Sequence, residues 1–363
     1  MTGRKSSDKL RRGWTTGACA TAAVAAAYRA LLTGAFPETI KIQLPRGQIQ
    51  AFDLASSETG NGFTRAGIVK DAGDDPDVTH GAEIIADVRH GRSGSGVTFK
   101  AGEGVGTVTL PGLPLDVGEP AINPVPRQMM TTAITEIATT FGHGIDVEIT
   151  LSIPGGEQLA EKTMNGRLGI KGGLSVLGTT GIVIPFSCSS WIHSIHRGID
   201  VARAAHLTHI AAATGSTSEN AVRRKFDLPE QALIDMGDFV GGLLKYLRKN
   251  PVPRLTIAGG FAKLGKLAQG HLDLHSSRSR LDMTQLSLMA KDAGADNRLS
   301  DAIASANTGL QALELCSQAN MALAHQVALR AREVAMAALA GGTEVRVLAY
   351  DRQGRLVGDS AND

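Results

Sequence analysis

Between Thr15 and Gly34 the chain carries a nearly unbroken run of small apolar residues, from Ala18 to Leu32, preceded by Thr15-Thr16-Gly17 and followed by Thr33-Gly34. Hydroxyl residues at one end and glycine at the other predict a helix with a side-chain N-cap and a left-handed stop. Beyond it the period shortens, and β-branched runs predict strands at 40–44, 63–70, 82–90, 97–100 and 145–153. Residues 111–126 interrupt them. Pro111, Pro114, Pro120, Pro124 and Pro126 each remove a backbone donor and restrict the residue before them, so this stretch predicts an ordered loop leading to a helix at about 127–141. Residues 1–154 read as an α+β domain.

From about 155 the repeat becomes apolar strand, turn, amphipathic helix. The units are 181–185 with 190–206, then 207–213 with 217–225 and 230–249, then 254–259 with 261–270, and a last strand at 344–350. Helices at 283–293 and 297–340, the second broken near Thr308-Gly309, surround them. The fold class is therefore α/β joined to α+β: residues 155–363 read as a Rossmann-like α/β domain with a largely parallel sheet. In such sheets ligands sit beyond the C-terminal strand ends, so the turns there are where chemistry is sought.

Composition narrows the class. The 363 residues, 42% hydrophobic and 20% charged, suit about two globular domains. A net charge of +2 gives no field that favours nucleic acid or an anionic membrane, so neither is expected as a partner. No window approaches the ~18 apolar residues of a membrane span, and the polar start Met1-Thr2-Gly3-Arg4-Lys5 does not read as a signal peptide. Cys19, Cys188 and Cys316 are odd in number and far apart, which offers neither a disulfide framework nor a CxxC site and makes the cytoplasm the expected compartment.

Candidate chemistry lies at three places. Thr214-Gly215-Ser216-Thr217-Ser218-Glu219 follows an apolar strand and opens a helix; Ser216 and Glu219 have capping-box spacing, while free amides and hydroxyls at the same turn suit a polar cofactor. Gly260 to Leu267 falls one residue short of a phosphate-binding loop, with Leu267 where a magnesium-binding hydroxyl belongs, although Lys263 and Lys266 offer charge to an anion. His271, Asp273, His275, Ser276, Arg278, Arg280 and Asp282 form the densest polar cluster, which reads equally as an exposed loop. Histidine pairs at 193/196, 206/209 and 271/275 lack the further ligands of a zinc site, so no protein-held metal is expected. Cys19 lies in a first helical turn, where a dipole lowers a thiol pKa, but a small buried thiol is the commoner fate. No GxSxG elbow is present. On residues alone, an enzyme of phosphoryl transfer and a non-catalytic carrier of anionic ligands both stay open.

Several strings resemble one family. Arg11-Arg12-Gly13-Trp14-Thr15-Thr16-Gly17-Ala18-Cys19-Ala20, the Pro-rich Val117-Gly118-Glu119-Pro120-Ala121-Ile122-Asn123-Pro124-Val125-Pro126-Arg127, and Leu168 to Val183 are similar, in order, to motifs of the cobalt-precorrin-5B C(1)-methyltransferases of cobalamin biosynthesis, the CbiD family. Thr214-Gly215 with Thr217-Ser218-Glu219, and Gly270 with His275-Ser276, extend the likeness to about residue 280. Ala262 before Lys263 and Leu274 before His275 depart from the family pattern.

The resemblance implies transfer of a methyl group from S-adenosylmethionine to carbon 1 of a ring-contracted tetrapyrrole, with cobalt present only as part of that corrinoid substrate. Alignment is what such a displacement needs most, which fits the lack of a triad. The donor is expected at the turns 178–181 and 214–219, where Gly178, Thr179, Thr180, Gly181, Thr214 and Gly215 permit close backbone approach and Glu219 offers a carboxylate near ribose or sulfonium. Thr15, Thr16, Glu119, Asn123, Arg127, Lys263, Lys266 and Ser276 are the expected substrate contacts, with the rigid loop 117–127 as a wall of the macrocycle site. His275 is the expected proton acceptor or carboxylate-orienting group. Association into a homo-oligomer is left open.

Overall fold

In the computed structural model, which describes residues 10–361, contacts divide the chain into two units, Met1–Cys188 and Ser189–Asp363. The first runs β1 (Gly13–Trp14), α1 (Thr16–Thr33), β2 (Thr39–Gln43), β3 (Ile49–Asp53), β4 (Ser56–Gly60), β5 (Phe63–Val69), β6 (Glu83–His90), β7 (Val97–Ala101), β8 (Thr107–Val108), α2 (Pro124–Phe141), β9 (Val147–Ser152), α3 (Gly156–Ala160), β10 (Ile170–Lys171) and β11 (Ile182–Val183). The alanine run is α1, with the Thr15 hydroxyl accepting the Ala18 amide and Gly34 closing the helix at φ 76°. Because alanine ends at Cβ, α1 approaches α2, β5 and β6 at once and is buried almost throughout. The Thr64 hydroxyl, on β5, reaches the Ala27 carbonyl at 2.6 Å. The sheet order is β4-β5-β6-β9-β7, antiparallel except for the β7–β9 pair.

Two expectations need correction here. Helix α2 starts at Pro124 and takes in two prolines assigned above to the loop, because first-turn amides have no helical acceptor and their loss costs nothing. The run 181–185 does not open a parallel repeat: only Ile182–Val183 is strand, and it pairs antiparallel with β1. A short apolar run carries no period long enough to name its partner, and Pro185 ends it. Residues 155–187, read above as the start of the second domain, thus pair with the first unit.

The second unit carries α4 (Cys188–Ala204), β12 (His209–Ala213), α5 (Ser216–Phe226), β13 (Leu233–Asp235), α6 (Val240–Leu247), β14 (Arg254–Gly260), α7 (Phe261–Ala268), α8 (Met283–Asp292), α9 (Asn297–Ala304), α10 (Gly309–Gln318), α11 (Leu323–Leu339), β15 (Glu344–Tyr350) and β16 (Leu356–Asp359). Its sheet has the order β13-β12-β14-β15-β16. The first four strands are parallel and β16 is antiparallel, so the class is mixed α/β. Residues 230–249 are not one helix. They hold a single 3-10 turn, β13 and α6, since Leu233-Ile234, buried in the sheet, looks the same in sequence as a helix core. The stretch 297–340 breaks twice, near 305–308 as expected and again at 319–322.

Thr15→Ala removes the α1 cap and is expected to cost about 1 kcal/mol, read as a lower urea midpoint, whereas Thr15→Ser retains most of the stability.

Candidate active site

Strand β12 has β13 on one side and β14 on the other, so the connections out of it and out of β14 diverge and leave a crevice at their C-terminal ends. Thr214 and Gly215 form the connection out of β12. The Thr214 amide donates to the Ala258 carbonyl at 3.0 Å, and a Cβ on Gly259 would lie 2.9 Å from Thr214 Cγ2, so the two strand ends touch through small groups. The expected capping box does not form. Ser216 is already inside α5, the N-cap is Gly215, and no side chain caps that helix; Ser218 instead donates its hydroxyl to the Gly215 carbonyl at 2.9 Å. Glu219 is only 9% exposed, in the first turn of α5.

Lys263 reaches the same turn. Its Nζ donates to the Thr214 carbonyl at 2.9 Å and lies 3.0 Å from Asp238 Oδ1. That second contact is an ion pair without hydrogen-bond geometry, since the oxygen has no hydrogen-bond donor. Lys266 is 9% exposed and donates to the Leu274 carbonyl at 2.8 Å. The phosphate-loop reading of 260–267 fails on this geometry: helix α7 begins at Phe261, directly after Gly260, and leaves no loop of amides to wrap a phosphate.

His275 holds a local turn together. Its Nδ1 accepts the Ser277 amide at 3.2 Å and lies 2.7 Å from the Ser277 hydroxyl, and its carbonyl accepts the amides of Arg278 and Ser279, both at 2.9 Å. With Nδ1 accepting, the neutral ring carries its proton on Nε2. Ser276 is exposed beside it. Asp282, at the end of the cluster, caps α8, and the Gln285 amide holds its carboxyl below the usual range.

The remaining expected residues lie in the first unit. Thr16 is 4% exposed, and its hydroxyl both donates to the Leu177 carbonyl at 3.1 Å and accepts the Leu177 amide at 3.0 Å. The Thr15 amide donates to the Gly181 carbonyl at 3.0 Å, and a Cβ on Gly178 would stand 2.3 Å from the Thr15 hydroxyl. The start of α1 therefore clasps the turn that carries Gly178, exposed Thr179, Thr180 and Gly181. That turn belongs to the first unit and 214–219 to the second, which corrects the expectation that one domain carries both. In the Pro-rich loop, Arg127 donates Nε to the Ile122 carbonyl at 2.8 Å and Nη2 to the Pro120 carbonyl at 3.1 Å, and pairs with Glu119 at 2.8 Å. Asn123 is the N-cap residue of α2 without a side-chain cap bond.

One cluster escaped the sequence reading: Asp71, Asp74, Asp75 and Asp77 before His80. Asp71 pairs with Arg11, whose hydrogen bond holds the carboxyl below its usual range, and Asp75 accepts the Phe186 amide at 2.7 Å. Lys70, 1% exposed, donates to Asp77 and to the Thr79 hydroxyl at 2.6 Å. The density of aspartates around a lysine was the available signal. Among the described residues no group of three or more His, Cys, Asp or Glu is arranged to hold a metal, and no helix is long and apolar enough to cross a membrane.

A family model described as CbiD matches residues 3–185, and one described as CbiD, C-terminal domain, matches residues 273–361. A Paramagnetospirillum magneticum protein named cobalt-precorrin-5B C(1)-methyltransferase is 59% identical over 355 residues, 97% of this chain and 98% of that protein. A Brucella anthropi protein of the same name is 58% identical over 356 residues, 97% of each chain. A crystal structure of a cobalamin biosynthesis protein (cbiD) from Archaeoglobus fulgidus aligns at 30% identity over 69% of this chain and 77% of that one, with a TM-score of 0.39.

Burial pushes the Cys19 thiol up to about 12 and the Cys316 thiol up to about 11, so both stay protonated where an ordinary thiol ionises. At pH 8 a disulfide reagent is expected to label Cys188 in the native protein and to reach Cys19 and Cys316 only after unfolding. Because the folded state holds these protons more tightly, the same two groups make stability fall as pH rises above the unfolded thiol value of about 8.5.

Proposed function

The chain belongs to the CbiD family, and on that footing we propose that it methylates carbon 1 of cobalt-precorrin-5B, with S-adenosylmethionine as donor, to give cobalt-precorrin-6A in the cytoplasm. The observation that carries this reading is the 59% identity, over 97% of the chain, to a protein of that name. The donor would supply a sulfonium methyl: the electron-rich ring carbon attacks that methyl in line, the methyl–sulfur bond breaks, and S-adenosylhomocysteine leaves as the neutral thioether. The protein's task is alignment, so no nucleophilic side chain is required.

We assign donor binding to the second unit, which we read as Rossmann-like. Support comes from the reversal of strand order at β12, the uncapped start of α5, and the small residues Thr214 and Gly215 that let a nucleoside approach the main chain. Glu219 supplies negative charge toward the sulfonium, and Lys263, fixed on Thr214 and Asp238, sets the far wall. In the first unit, the loop 117–127 is assigned to the corrinoid, with Arg127 stiffening it from within and Asn123 contacting substrate. Gly178 to Gly181, Thr15 and Thr16 shape the floor of that region by their mutual packing. In the second unit, Lys266 fixes Leu274, next to His275 and Ser276. His275, with its proton on Nε2, is better suited to donate to a substrate carboxylate than to accept a proton from the ring.

Calorimetric titration of the purified protein with S-adenosylmethionine, S-adenosylhomocysteine and ATP is expected to give binding for the first two alone, followed by single-turnover methylation of the corrinoid detected by mass. Binding of ATP alone would support phosphoryl transfer, and corrinoid binding without methylation a carrier. His275→Ala is expected to raise the corrinoid KM about tenfold, the loss of one charged hydrogen bond, while the donor affinity holds. A fall in kcat at constant KM would return His275 to the role of base.

A further inference from the structure

We infer that Asp235 and Trp191 form the adenosine subsite of the second unit, Asp235 accepting the ribose hydroxyls and Trp191 covering the base. The inference rests on the donor-binding reading above and names residues that it lacked.

Asp235 is the last residue of β13 and is in register with Ala213, the last residue of β12, with the Met236 amide bonded to the Ala213 carbonyl at 3.0 Å. Its Cα is thus one strand spacing, about 4.8 Å, from the strand end that feeds Thr214 and Gly215. In doubly wound sheets that bind nucleosides, an acidic residue at the end of the second strand, about 20 residues beyond the first glycine turn, accepts the ribose hydroxyls. Asp235 stands about 20 residues beyond Gly215, at the end of the strand that follows α5. The turn has one glycine and lacks the GxGxxG pattern that cradles a pyrophosphate, which suits a nucleoside without a diphosphate.

Trp191, on α4, meets the same strand end. Its indole Nε1 donates to the Asp235 carbonyl at 3.1 Å, and its edge lies against Gly237, where a Cβ would come within 3.3 Å of Nε1. Gly237 has φ 52°, a conformation that favours glycine and leaves room for the ring. The indole is pinned at one edge, yet 46% of the residue is exposed. A large aromatic held on the main chain of the aspartate residue, and still open to solvent, is what an adenine ring needs for stacking. The competing account is that Asp235 merely closes a turn, since its Oδ1 accepts the Gly237 amide at 3.3 Å.

The chain has two tryptophans, so a Trp14→Phe background leaves Trp191 as the single indole reporter in the full-length protein. Addition of S-adenosylhomocysteine is expected to quench its emission saturably. The 2′-deoxy analogue should bind about tenfold more weakly to the unaltered chain, as for the loss of one charge-assisted hydrogen bond. Asp235→Asn should weaken S-adenosylhomocysteine by a similar factor and abolish the difference between the two ligands. The deoxy comparison on the unaltered chain needs no mutation, so a variant that fails to fold does not decide the matter. Equal affinity for the two ligands there, or calorimetric binding without any change in Trp191 emission, overturns the subsite and leaves the donor reading intact. No binding of S-adenosylhomocysteine to the unaltered chain overturns both.

Discussion

Close approach of main chain to main chain is the constraint on which both units depend. In the first, α1 is shared between α2 and two strands, and only a helix of alanines can be hidden on so many sides without pushing its neighbours apart. The same constraint recurs where Gly13 lies against Ala72: a Cβ on Gly13 would stand 2.0 Å from the Ala72 carbonyl carbon. In the second unit, Ala211-Ala212-Ala213 and Ala258-Gly259-Gly260 keep the ends of β12 and β14 thin. A crevice at a strand-order reversal admits a ligand only if the strand ends do not fill it, so the small residues that tighten the fold also open the site. Such backbone contacts fit a composition with 43 glycines and only 4% aromatic residues.

What the sequence made legible followed from signals with a local cause. Thr15 and Gly34 bound α1 because an orphan amide needs an acceptor and a stop needs positive φ. The strand Glu344–Tyr350 was readable to its ends, with β-branched Val345 and Val347 leading into an apolar run that ends at Tyr350. Errors arose where a decision is not local. β13 is three residues long, and whether Leu233-Ile234 pairs with β12 or winds into a helix depends on a partner some twenty positions away. Ser216 and Glu219 had the spacing of a capping box, but φ and ψ near 165° at Gly215 moved the helix start by one residue and left the serine inside it.

The candidate site shows the same division. Its glycines, threonines and strand ends could be located from sequence, whereas the partners of its long polar side chains could not. Lys266, Arg127 and His275 all looked like groups waiting for an anion, and each is engaged by the chain itself: Lys266 by a buried carbonyl, Arg127 by two carbonyls and Glu119, His275 by Ser277. The physical reason is that tight loops of proline and glycine leave carbonyls without ladder partners, and a buried carbonyl left unpaired costs as much as a lost hydrogen bond. Asp235 went unnoticed, and Trp191, though unusual in its segment, was given no role, for the converse reason: their proximity is created by β13 and α4 meeting at one strand end.

A methyltransferase, which handles an electrophilic methyl, also has to avoid methylating itself. The side chain most reactive toward such a carbon is a thiolate, not a thiol, and the reactive fraction is set by how far the pKa lies above ambient pH. Cys19 and Cys316 are fully buried, and desolvation raises them to about 12 and about 11, so each is protonated at neutral pH as well as hidden. Lys70 pulls the Cys19 thiol down, yet burial outweighs that pull and Asp71 adds to the rise, while Lys70 itself pairs with Asp77 and Thr79. The buried lysine therefore fixes the aspartate-rich loop without activating the cysteine beside it. Transfer of a methyl between two bound molecules depends on their placement in line more than on a reactive side chain.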